Sequence, residues 1–90
     1  MFTIDEKIDD ARIVQFASQA KYITENVRNE FDRFFTGRNS VDFNQGLLAG
    51  YANSYVMMIK IDPDSEITKT TGLIIAYIAE KILQTKSTNN

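Results

Sequence analysis

The chain has 90 residues, 10 basic and 12 acidic, a net charge of −2, and no histidine, cysteine or tryptophan. That inventory excludes thiolate nucleophiles, disulfides, histidine-based triads, zinc sites built on Cys or His, and the imidazole switch near neutral pH. One domain is the bound set by length, and a domain this small buries only roughly 60–65% of the surface its unfolded chain exposes. With those staples absent, oligomerisation is the remaining way to add buried surface.

Three helices are marked by their own punctuation. The first opens at Thr3-Ile4-Asp5-Glu6, a capping box whose Thr and Glu satisfy the first free amides. Acidic Asp5, Glu6, Asp9 and Asp10 follow where the helix dipole favours them. No glycine or proline intervenes until Gly37, a suitable left-handed cap, so this helix is predicted over about 4–35. The second opens near Ser40-Val41-Asp42, with Asp42 and Gln45 at capping-box spacing, and is predicted over about 42–60. The third opens at Asp62-Pro63, an N-cap followed by proline where its missing donor costs nothing, and is predicted over about 63–84. Residues 85–90 are polar and expected to fray. The expectation is an all-α three-helix bundle over 1–84, without internal repeats.

Periodicity supports helices throughout. Phe16, Ala20, Ile23, Val27, Phe31 and Phe34 share one stripe. In the third helix Ile67, Ile74, Ile75, Ile78 and Ile82 form another. The middle helix differs: Leu47, Leu48, Tyr51, Ala52, Tyr55, Val56, Met58 and Ile59 cover about half its circumference. A helix that apolar is expected at the centre of the bundle.

The first helix is too long for such a bundle. Residues 4–35 would make a rod of roughly 48 Å, against a globule about 30 Å across. Its apolar face also changes sides between Val14 and Phe16, because Ile4, Ile8, Ala11 and Val14 lie opposite the Phe16–Phe34 stripe. Either the chain bends around Gln15–Gln19 and the first residues fold back as a separate helix, or the rod stays straight and its N-terminal third is an arm in a homodimer. With no glycine or proline in the stretch a bend lacks a local cause, which favours the arm. The seam expected from this reading comprises Phe2, Ile4, Ile8, Ala11 and Val14. Gly46 and Gly50, one turn apart, are added because they allow close backbone approach, either in a seam or inside the monomer. Leu73 and Tyr77, an i, i+4 pair outside the isoleucine stripe, fit a seam or a contact with the first helix equally well.

Candidate chemistry is sparse. Asp62, Asp64 and Glu66 alternate like the first ligands of a calcium loop, but the loop's glycine and closing glutamate are missing. Asp9-Asp10 and the Glu30/Asp32 pair lack apolar neighbours that would separate their pKa values. The aromatic residues at helical spacing read as core, and Met57-Met58 as core filler. Neither catalytic residues, a cofactor nor a metal is expected. Arg28, Arg33 and Arg38 are interrupted by Glu30 and Asp32, so the basic stripe of a nucleic-acid binder is missing. The acidic N-terminus does not resemble a signal peptide, and no apolar run is long enough for a membrane span, which leaves the cytoplasm as the expected location. The expected function is a non-enzymatic helical protein-interaction module (adaptor, inhibitor or accessory regulator) acting as a homodimer. A helix-turn-helix regulator and a small-ligand-binding domain are the alternatives.

Overall fold

Residues 9–35 and 41–88 are described by the computed structural model. They form α1 (Asp10–Ala17), a 3₁₀ turn (Ser18–Tyr22), α2 (Glu25–Phe34), α3 (Val41–Ile61) and α4 (Glu66–Thr88). All secondary structure among them is helical, and the radius of gyration is 12.8 Å.

The 4–35 rod is not what forms. Its described part is interrupted between α1 and α2, so residues 9–35 are not one straight helix, and Ile4 and Ile8 of the expected face lie outside the described residues. Asp9 is extended, and its carboxylate accepts the Arg12 amide at 2.9 Å, which starts α1 there. After Ala17 the chain tightens into the 3₁₀ turn. Ser18 Oγ donates to the Gln15 carbonyl at 2.6 Å, a local bond that competes with the helical ladder. Ile23 is then extended and buried. Thr24 restarts the chain as the N-cap of α2, its hydroxyl accepting the Val27 amide at 3.3 Å. The bend therefore has a local cause that needs neither glycine nor proline: a serine that bonds backwards and a threonine that bonds forwards. It falls at 18–24, overlapping the expected 15–19 at Ser18 and Gln19.

The helix expected from Pro63 starts three residues later. Asp62 instead holds a tight turn, accepting the Asp64 amide on its carboxylate at 3.2 Å. Ser65 caps α4, accepting the Thr68 amide at 3.2 Å, and buried Thr68 donates to the Asp62 carbonyl at 2.8 Å. The far end continues past Gln84 to Thr88, so the expected frayed tail is helical over 85–88.

The centre of the bundle is α4, not α3. Ile75, Ala76, Tyr77, Ile78 and Ala79 are all buried in succession, which happens only when a helix is covered on every side. It packs against α1, the 3₁₀ turn, α2 and α3. Ala76 and Ala79 keep neighbouring helices close, while Ile75, Ile78 and Ile82 each contribute about 1.5–3 kcal/mol of burial. The sequence expectation fails because apolarity around a helix records contact of any kind, and α3 makes its contacts inside the chain mainly with α4. At that contact the Tyr55 ring lies over Gly72, 3.2 Å from where a Cβ would stand. Two members of the expected stripes point outward: Phe34 is 81% exposed and Ile67 68% exposed.

Candidate functional site

α3 presents a long uncharged face to solvent. No Asp, Glu, Lys or Arg occurs from Phe43 to Ile59. Leu48 and Ala49 are buried, and Leu47, Tyr51, Ala52 and Tyr55 pack against the core. On the opposite side Phe43, Gly46, Gly50, Ser54, Met57 and Ile61 are all exposed. At 100° per residue these six fall within about 80° of one another and run about 27 Å along the helix. Met57 is 62% exposed and Ile61 79%. Of the large apolar side chains exposed among the described residues, Phe43, Met57 and Ile61 lie on this stripe, while Val56 and Ile59, also exposed on α3, project about 120° and 180° from its centre.

Gly46 and Gly50 sit in the middle of this face, and a Cβ at either would meet nothing within 4 Å. The packing inside the monomer that their spacing allowed is therefore not made. Glycine in an exposed helix interior costs about 1 kcal/mol relative to alanine, and among the described residues no contact requires it. A shallow groove lined by Gly46, Leu47, Gly50, Tyr51 and Ser54 lies along them.

The described residues among the other expected seam members do not share one face. Phe2, Ile4 and Ile8 lie outside the described residues. Ala11 and Val14 are exposed on α1, Val14 at 55%. Leu73 is half-buried against the core. Tyr77, at 1% exposure, is inside the chain and cannot line a seam. It is the contact with the first segment: its ring packs edge-on to Phe31 at 5.4 Å and beside Phe35 at 5.8 Å. Its hydroxyl donates to Asp32 Oδ1 at 2.5 Å. Burial, and then the Asp32 carboxylate, push the Tyr77 phenol well above its usual range. A second polar link, Arg28 to Glu80 at 2.6 Å, fastens α2 to α4 one turn away.

A cleft of about 600 Å³ is lined by Arg12, Asn53, Ser54, Val56 and Met57, which brings Arg12 of α1 beside the Met57 end of the stripe, and there are two smaller clefts. One, of about 230 Å³, is lined by Phe31, Phe34, Phe35, Tyr51 and Ile74 with Glu30 and Thr70 at its edge. The other, of about 180 Å³, lies between α1 and α3 and is lined by Arg12, Phe16, Ala52, Asn53, Tyr55, Val56 and Ile75. Among the described residues no group of three or more acidic side chains is placed to hold a metal ion, and no helix is long and apolar enough to cross a membrane.

No protein-family model, curated protein or solved structure matches the chain. Sequence reasoning singled out the two glycines but missed the face they belong to. The signal available was the uncharged run on α3 combined with the small and large residues recurring every three or four positions.

Proposed function

We propose that this chain is a non-enzymatic helical protein-interaction module that works as a homodimer. The observation that supports this reading is the exposed face of α3, without charged residues from Phe43 to Ile59, with two glycines whose cost no contact among the described residues offsets. A surface of this kind is stabilised by burial against another apolar surface. The working surface moves accordingly from the arm expected at the N-terminus to α3. Sedimentation equilibrium tests the reading: the wild type is expected to reach twice 10.3 kDa in the micromolar range. The double variant Met57→Asp/Ile61→Asp is expected to stay monomeric with its helical circular dichroism intact. A wild type that remains monomeric at high micromolar concentration refutes it.

A second reading rests on the aromatic cleft. Its lining of three phenylalanines and a tyrosine suits a small apolar ligand. A thermal-shift screen of aromatic compounds checks it, since a ligand bound only to the folded chain raises the melting temperature.

A further inference from the structure

We infer that two copies pair through α3 lying antiparallel, with Met57 of each seated over Gly46 of the other. The inference rests on the homodimer reading and specifies its geometry from three observations.

The first is the order of residue sizes along the exposed stripe: Phe43, Gly46, Gly50, Ser54, Met57, Ile61. Run against itself in the opposite direction about a two-fold axis near Ala52, the stripe matches large to small. Met57 falls opposite Gly46 to within about one residue rise, 1.5 Å. Gly50 falls opposite Ser54, two small residues where the helices cross closest. Phe43 falls opposite Ile61, closing each end with an apolar pair. In parallel register Met57 meets Met57 and Ile61 meets Ile61, while Gly46 and Gly50 meet themselves, which leaves a gap at one end and crowding at the other.

The second is charge. Asp42 and Lys60 bracket the uncharged run, and both project from the same flank of the stripe, about 80° from its centre. A two-fold axis perpendicular to the helices keeps that flank on one side, so Asp42 of each copy meets the Lys60 end of the other. These are the positions at which flanking charges select orientation in paired helices. In parallel pairing the two-fold axis runs along the helices and sends this flank to opposite sides of the seam, so Asp42 and Lys60 do not meet an opposite charge across it.

The third is the empty space at the glycines. Among the described residues a Cβ at Gly46 or Gly50 meets nothing within 4 Å, so the absent side chains leave a groove that a second copy can fill. Gly72 shows the contrast, because there Tyr55 of the same chain occupies the space.

Photo-methionine cross-linking tests the geometry without removing the Met57 side chain. Wild-type chain carrying photo-methionine is mixed with isotope-labelled chain, irradiated, and mapped by mass spectrometry. Cross-links from Met57 of one copy to residues 43–47 of the other are expected. Cross-links from Met57 to residues 54–61 of the other copy would establish parallel pairing and overturn the inference, leaving the homodimer standing. A chain that sediments as a monomer would overturn both. Gly46→Leu supplies an independent readout: it fills the seat of Met57, so the dimer dissociation constant is expected to rise at least tenfold while the melting temperature of the dilute monomer does not fall. Unchanged dimer affinity in Gly46→Leu would also overturn the inference.

Discussion

Replacing Gly46 and Gly50 by alanine separates what the single chain needs from what its partner needs. Within α3 each glycine carries the backbone-entropy penalty of its missing Cβ, about 1 kcal/mol relative to alanine. Neither position has a neighbour within 4 Å of an added Cβ, so no packing loss opposes the gain. For a domain of this size 1 kcal/mol corresponds to about 4–8 °C in melting temperature. Each substitution is therefore expected to raise the melting temperature of dilute, monomeric chain by about that amount, followed by circular dichroism. Gly72→Ala is the internal control. Its Cβ would stand 3.2 Å from Tyr55 Cε1 and 3.3 Å from the Tyr55 hydroxyl, so the ring must shift and the gain is expected to be smaller than at 46 or 50. Lower melting temperatures for the Gly46 and Gly50 variants under monomeric conditions would refute the reasoning, because something in the folded chain would then occupy that space.

Thr24→Ala removes the hydroxyl that caps α2 and is expected to cost about 1 kcal/mol in urea unfolding; an unchanged midpoint would show that the break does not depend on this cap. Tyr77→Phe deletes the hydroxyl donated to Asp32. The carboxylate stays half-exposed and rehydrates, so the expected loss is near the low end for a charged acceptor, about 1.5 kcal/mol. The same variant carries a pH signature. The folded Tyr77 holds its proton above the ordinary value of 10.0, so its contribution is fully present below pH 10 and is lost as pH rises beyond it. Wild-type stability is expected to fall above pH 10 with a slope from this group of up to about 1.4 kcal/mol per pH unit. Tyr77→Phe is expected to lose that part of the slope, as read from urea midpoints on either side of pH 10.

The helical class and the positions of α3 and α4 were legible because their boundaries are set locally. Asp62, Pro63 and Ser65 stop one helix and start the next whatever packs against them, although Ser65 rather than Asp62 proved to be the cap. The break in the first segment was also written locally, in Ser18 and Thr24. Those residues are common inside helices and announce a break only when their hydroxyls turn to the backbone. The centre of the bundle was not legible, since periodicity on one helix reports how much of it is apolar but not which neighbour covers it. α3 carries enough apolar surface for a central helix, yet much of that surface faces outward. α4 earns the centre through Ala76 and Ala79, small residues that read as weak members of a stripe. Tyr77 was ambiguous for the same reason: an apolar pair outside the main stripe fits any partner until Phe31 and Phe35 are seen against it.

Oxidation of the two adjacent methionines by dilute hydrogen peroxide reads the α3 face directly. Met57 lies on the open stripe and Met58 is half-buried off it, and thioether oxidation follows exposure. As protein concentration rises through the micromolar range, the oxidation rate of Met57 is expected to fall several-fold while that of Met58 stays constant. A Met57 rate that is the same at every concentration would contradict the claim that a second copy covers this face.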